Sequence, residues 1–460
     1  MPDEVAIRPE TSIPNCDRPI SKDSGFSQNS SLSSSSMSSR VFLAQHDYTA
    51  NNSDELTFKK GDKIHLDLTG KSEKEWYYGE LNGKRGLFPK NFTTELVELW
   101  RFEKEDFEMM SEEGLTRSSI GFGATASVHK VRIVLERLLN TGNFPRQMVE
   151  ECIAFKKFKT GFGQKFDEPH DEQQAIEALK QEALIVAKFS HGNIVQFLGY
   201  SIDQPFFGLA FEICHGGSLR KLCTSTIDKT RSMPLDVLVN WGGQIASGME
   251  YLAKLGYVHR DLKADNVLVK QASCQCDFNI KQCSECNGTG LKYLQLKIAD
   301  FGGTRKIATR SVMSTVAGTY AWLAPETFSR NSYTEYSDVW SYGVVLWEIL
   351  YREEPYRGIM PVAVAHSVSK DELKLEIHKN CPKKWAQMMK KCWNIEPKRR
   401  PHFSEIVRHF DEYTEELKMM NGQILVPQIL RTEVDDSYGT SLAPGSRARS
   451  FLSRYLSLKD

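Results

Sequence analysis

The sequence predicts a multidomain chain in which a small all-β barrel precedes a larger α+β domain. Three observations carry that expectation. The chain has 460 residues, too many for one compact core. Residues 41–97 hold short alternating runs, Val41-Phe42-Leu43-Ala44, Lys63-Ile64-His65-Leu66-Asp67-Leu68 and Trp76-Tyr77-Tyr78-Gly79-Glu80-Leu81. Gly61-Asp62, Gly70 and Asn82-Gly83 separate these runs, and residues 114–411 then read as one large α+β domain.

Composition excludes several function classes. Lys plus Arg total 59 and Asp plus Glu total 59, so the balanced charge speaks against a nucleic-acid binder or a polybasic membrane protein. No apolar run reaches the roughly 20 residues that cross a bilayer. Met1-Pro2-Asp3-Glu4 lacks the basic-then-apolar pattern of a secretion signal, so a cytoplasmic location is expected. There the ten cysteines should be thiols or metal ligands rather than disulfides.

Residues 1–40 are Ser-rich and are expected to be a disordered tail, since they cannot bury enough apolar area to offset the entropy of ordering. Within residues 41–97, Ala44-Gln45-His46-Asp47-Tyr48, the acidic segment Asp54 to Asp62, Trp76-Tyr77 and Gly86-Leu87-Phe88-Pro89-Lys90-Asn91-Phe92 occur in order. This pattern resembles an SH3 domain. The resemblance implies a groove for a proline-rich or atypical ligand, with Tyr48, Trp76, Pro89 and Phe92 as ridges and Glu55 and Asp54 pairing a ligand Arg or Lys. His46 stands where the family usually has tyrosine. The alternative is that these aromatics are core.

Residues 98–113 are charged and are expected to form a helical connector. Beyond them lie segments suited to phosphoryl transfer, which needs positioning and charge neutralisation more than covalent chemistry. The strongest is His259-Arg260-Asp261-Leu262-Lys263-Ala264-Asp265-Asn266, followed by Asp300-Phe301-Gly302. Together these resemble the catalytic loop and metal-binding motif of protein kinases, which implies a bilobal α+β kinase domain that uses ATP and Mg2+.

The resemblance assigns roles residue by residue. Asp261 orients the hydroxyl nucleophile and takes its proton, Lys263 stabilises the transferring group, and Asn266 and Asp300 bind magnesium. Ile120-Gly121-Phe122-Gly123-Ala124-Thr125-Ala126-Ser127-Val128 resembles the glycine-rich loop over ATP, although Ala126 replaces its third glycine and Thr125 its tip aromatic. Ile153-Ala154-Phe155-Lys156 resembles the lysine strand, with Lys157 as the register rival. Glu182, on a helix predicted over 172–188, is the expected partner of Lys156. Glu212 and Cys214 would present hinge backbone to adenine, and Glu326 would pair Arg400.

Lys263 is the serine/threonine version of the loop, whereas Cys392-Trp393 and Arg400-Pro401-His402-Phe403 look tyrosine-kinase-like. With an SH3 domain ahead, the chain resembles the mixed-lineage kinases. That implies a mitogen-activated protein (MAP) kinase kinase kinase with MAP kinase kinase substrates in a stress-activated, Jun-kinase-type cascade. The leucine zippers and GTPase-binding motif usual in that family are not visible in this chain. Arg260 implies control by an upstream activating kinase, with Ser311, Ser314 and Thr315 as acceptors. A pseudokinase scaffold assembling a complex through SH3 is the alternative.

Residues 270–293 exceed an ordinary hairpin loop. Cys274, Cys276, Cys283 and Cys286 could satisfy a tetrahedral Zn2+ site, the alternative being free thiols. Residues 412–460 are expected to hold a helix end and an irregular C-terminal tail.

Overall fold

The computed structural model describes residues 3–6, 41–67, 75–108, 118–122, 126–134, 152–159, 169–226, 232–270, 291, 294–306, 320–330, 333–420 and 424–426. The chain divides into two compact units, residues 1–190 with 196–212, and residues 191–195 with 213–460.

The first unit contains two sheets. Strands β1 (Asp3–Ala6), β2 (Val41–Ala44), β3 (Lys63–Leu66), β4 (Trp76–Leu81), β5 (Lys84–Pro89) and β6 (Thr93–Leu99) form an antiparallel sheet in the order β1-β6-β2-β3-β4-β5. Residues 3–6 of the expected disordered tail are therefore a strand, and the rest of the tail lies outside the described residues. Alternation on β2 puts Phe42 and Ala44 inside, where they join Ile64, Leu81, Leu87 and Phe88. Asn82 and Gly83 have φ of 52° and 80°, as the predicted two-residue β4–β5 hairpin requires.

The second sheet has the order β10-β11-β9-β8-β7, formed by β7 (Ser119–Phe122), β8 (Ala126–Arg132), β9 (Cys152–Phe158), β10 (Phe197–Ser201) and β11 (Gly208–Glu212). Helix α1 (Pro169–Val186) accompanies it and carries Asp171 and Glu172 in its first turn, where acids favour the helix dipole.

Over its described residues, 98–108, the expected helical connector is not an α-helix. Beyond β6 the chain stays extended, turns once at Lys104–Asp106, and gives Phe102 and Phe107 to the core of the second sheet beside Phe155 and Phe206. Leu99, Phe102 and Phe107 are apolar positions in a charged sequence, and burying them outweighs helix formation by their neighbours.

In the second unit, α2 (Leu235–Lys254) packs against α7 (Phe403–Met419), and a Cβ at Gly242 would stand 2.7 Å from the Phe410 ring. Between them in sequence lie α3 (Pro325–Arg330), α4 (Glu335–Tyr351), α5 (Pro361–Ser369) and α6 (Lys383–Cys392). Helix α4 is buried almost all round, including Asp338 and Glu348. Val267–Val269 pairs Leu296–Ile298, and Tyr257–Val258 pairs Arg305–Lys306, each pair antiparallel. Leu425–Val426 of the expected irregular tail pairs Met233–Pro234.

Candidate active site

A buried carboxylate must receive hydrogen bonds or lose its charge. The two buried acids of α4 receive theirs from the 259–266 loop. Asp338 accepts the His259 amide at 2.7 Å and the Arg260 amide at 2.9 Å, while Glu348 accepts the Ala264 amide at 3.0 Å. The loop is thus pinned on both sides of Asp261, and Arg260 is held at a φ of 73°. Burial raises the Asp338 carboxyl and pushes Glu348 up to about 7, against the donors they accept. Glu348 also accepts Trp322 Nε1 at 2.8 Å, tying the loop to the segment before α3.

Within the pinned loop, Lys263 Nζ lies 2.9 Å and 3.1 Å from the two Asp261 carboxylate oxygens. Asn266 Nδ2 donates to Asp261 Oδ2 at 2.8 Å. The side chains predicted as base, electrophile and metal ligand therefore converge. Asp300 is exposed and sits in left-handed backbone, φ 61° and ψ 73°, at the start of the Phe301–Gly303 turn. The Ala299 amide donates to the Asn266 carbonyl at 2.8 Å, and Phe301 meets the His259 ring edge-on at 5.4 Å. With the Asn266 amide nitrogen turned to Asp261, its Oδ1 and the Asp300 carboxylate are hard oxygen donors that fit Mg2+.

In the first unit, Lys156 Nζ meets Glu182 Oε1 at 3.1 Å. Gly121 pairs Val128 and Phe122 pairs Ser127 at the base of the glycine-rich loop, while Ile120 and Phe122 are exposed. Ala126, which replaces the third glycine, is buried in the β8–β9 ladder opposite Phe158. Gly123, Ala124 and Thr125 lie outside the described residues. Gln196 donates its amide to Glu212 Oε1 and accepts the Glu212 amide, both at 2.9 Å. The chain passes from one unit to the other just after Glu212, and Cys214 follows as a half-buried thiol.

The protein tyrosine and serine/threonine kinase family matches residues 133–410. The chain belongs to that kinase family. The SH3 domain family matches residues 43–90. The kinase is 42% identical over 389 residues to the mitogen-activated protein kinase kinase kinase mlk-1 of Caenorhabditis elegans, covering 83% of this chain and 37% of that protein. It is 33% identical over 377 residues to mitogen-activated protein kinase kinase kinase 11 of Rattus norvegicus, covering 81% of this chain and 39% of the relative. With human mitogen-activated protein kinase kinase kinase 10 it shares 31% over 382 residues, 81% of this chain and 36% of the relative. The kinase thus spans less than two-fifths of the length of these relatives, and their names together with the SH3 match bear out the mixed-lineage resemblance.

The kinase's large-lobe anchor is as expected. Arg400 forks onto Glu326 at 2.7 Å and 2.9 Å and is fully buried. Arg260 stacks on Tyr333 at 4.4 Å beside the like charge of Arg305. The proposed acceptors Ser311, Ser314 and Thr315 lie outside the described residues, as do Cys274, Cys276, Cys283 and Cys286. Of the insertion, Leu291 is buried and its carbonyl accepts Trp241 Nε1 at 3.1 Å. Among the described residues no cluster of three or more His, Cys, Asp or Glu could hold a metal, and no helix is long and apolar enough to cross a membrane.

One SH3 expectation is corrected. Glu55 is 1% exposed and cannot pair a ligand cation. It accepts the Tyr48 hydroxyl at 2.7 Å, the Asn51 amide at 2.8 Å and Asn52 Nδ2 at 2.6 Å, which fastens its own loop. Tyr48 meets Trp76 edge-on at 5.8 Å and Phe92 at 5.4 Å, and Pro89 pairs Trp76 across β4–β5. Tyr48 and Trp76 are mostly buried in the sheet's core cluster, so the predicted ridges serve as core as well.

Sequence reasoning passed over Glu348 and gave Asp338 no role. Their signal was two acids at buried positions of a 17-residue helix that is mostly apolar beyond its first turn.

Proposed function

We propose that the chain transfers the γ-phosphoryl group of ATP to serine or threonine hydroxyls, acting as a MAP kinase kinase kinase on MAP kinase kinases in a stress-activated cascade. The observation that carries this reading is the convergence of Lys263 and Asn266 on the Asp261 carboxylate. A carboxylate so oriented can accept the proton of an incoming hydroxyl, and Lys263 places positive charge where the transferring group gains negative charge. Lys156, fixed by Glu182, would hold the first two phosphates. Bound Mg2+, held by Asn266 and Asp300, would neutralise phosphate charge.

The intact set Lys156, Glu182, Asp261, Asn266 and Asp300 favours activity over a pseudokinase scaffold. Phosphorylation near Ser311, Ser314 or Thr315 by an upstream kinase is proposed to act through Arg260, and an SH3 ligand is proposed to take its charge from exposed Asp54 rather than Glu55. A cytoplasmic setting and Zn2+ in the cysteine insertion belong to the same reading. Transfer of phosphate to a purified MAP kinase kinase, abolished by Asp261→Asn, is the expected result. An activated wild type that transfers nothing would support the scaffold reading instead.

A further inference from the structure

Glu182 is useful only if α1 holds it against Lys156, so whatever fixes α1 sets the phosphate-binding lysine. One such grip comes from the SH3 domain. Lys188 Nζ meets Glu95 Oε2 of β6 at 3.4 Å, and each side chain is only 13% exposed. Lys188 lies two residues past the last residue of α1, but it is not loosely attached. The Ala187 amide donates to the Ala183 carbonyl at 2.9 Å, Lys188 to Ile185 at 3.3 Å and Phe189 to Val186 at 3.0 Å, so helical turns continue through it. Glu182 lies six residues upstream, about 9 Å along the axis. A cation at this end also suits the helix dipole.

The SH3 side is equally tight. Strand β6 runs directly into Trp100–Phe102, which pairs with β10 through the Tyr200 amide on the Trp100 carbonyl at 2.9 Å and the Phe102 amide on the Tyr200 carbonyl at 2.8 Å. A Cβ at Gly199 would collide with the Trp100 carbonyl and the Phe102 ring, so no slack separates the connector from the sheet. Arg101 pairs Asp203 at 3.2 Å, and the Lys104 amide donates to the same carboxylate at 3.0 Å. Leu99 and Phe102 are fully buried.

We infer that the SH3 domain is a fixed part of the small catalytic unit, with Glu95 and Lys188 as positioning residues that hold α1 where Glu182 meets Lys156. This rests on the kinase reading. An ion pair so shielded leaves a poorly solvated charge when one partner goes.

The full chain is tested with Glu95→Lys, Lys188→Glu, the double swap and the milder Glu95→Gln. Transfer to a MAP kinase kinase, hydrogen exchange of the α1 amides and melting temperature are measured for each. Each single reversal is expected to lower kcat by at least about fivefold and to speed α1 exchange, Glu95→Gln to do so less, and the swap to restore both. Wild-type transfer and exchange in both reversals would overturn the inference. So would a swap that melts like wild type yet stays impaired. Inactive wild type sinks the kinase reading alone, because the exchange arm needs no activity.

Discussion

Asn266 Nδ2 lies 2.8 Å from Asp261 Oδ2 and also 2.8 Å from the Asp261 carbonyl oxygen. One amide thus orients the carboxylate and closes the loop that carries it. Hydrogen bonds to a charged group are each worth about 1.5–3 kcal/mol. Asn266→Ala is therefore expected to lower kcat by about 10- to 100-fold beyond any change in metal affinity. Steady-state kinetics at saturating Mg2+ make the measurement. A loss cured fully by added Mg2+ would leave Asn266 a metal ligand only.

Of the neighbours Lys156 and Lys157, it is Lys156 that meets Glu182. Lys156→Met should abolish transfer, and Lys157→Met should retain it. Comparable losses in the two would reject the assigned register.

Phe102 is fully buried among Phe107, Val131, Phe155 and Phe206, although it belongs to the segment between the domains. Phe102→Ala should cost about 3–5 kcal/mol in the unfolding of the first unit. A loss-free variant by denaturant titration would return the segment to the status of a tether.

Glu348 binds its proton more tightly folded than unfolded, its carboxyl rising from 4.5 to about 7 through burial. Its stabilising contribution is therefore fully present below pH 4.5 and is lost as pH rises through about 7. Wild type should accordingly lose melting temperature relative to Glu348→Gln between those two values and run parallel to it above them. No relative loss over that interval, with a gain below pH 4.5 instead, would reverse the sign and show that Ala264, Trp322 and Arg220 outweigh burial.

Glu55 titrates in the opposite sense. Burial works to raise its carboxyl, but hydrogen bonds from Tyr48, Asn52 and the Asn51 and Asn52 amides hold it below 4.5. Its contribution is present above that ordinary value and is lost as pH falls through the lower folded one. Glu55→Gln should lower the SH3 melting temperature at neutral pH, with the gap closing in acid. An unchanged melting temperature at neutral pH would show that the loop does not depend on the carboxylate.

Much of the proposed catalytic set was legible because it is local. Asp261, Lys263 and Asn266 lie within one short loop, and a loop can be read without knowing what surrounds it. The Asn82-Gly83 turn was legible for the same reason, since positive φ at both positions is a demand that the residues themselves meet. Glu55 misled because a carboxylate beside aromatics reads alike whether it faces solvent or its own loop. The connector misled because its charged residues favour helix, while Phe102 and Phe107 find their partners about 30 to 100 residues further along.

The sequence by itself determined the order of the SH3 and kinase domains and pointed to the residues proposed for phosphotransfer, with the serine/threonine version of their loop. These depend on residue type and short spacing. The tertiary structure decided which lysine meets Glu182, which buried acids pin the catalytic loop, and that the segment after the SH3 domain is core. Each of those rests on contacts between residues far apart in the chain, where burial and an available hydrogen-bond partner, rather than local propensity, set the outcome.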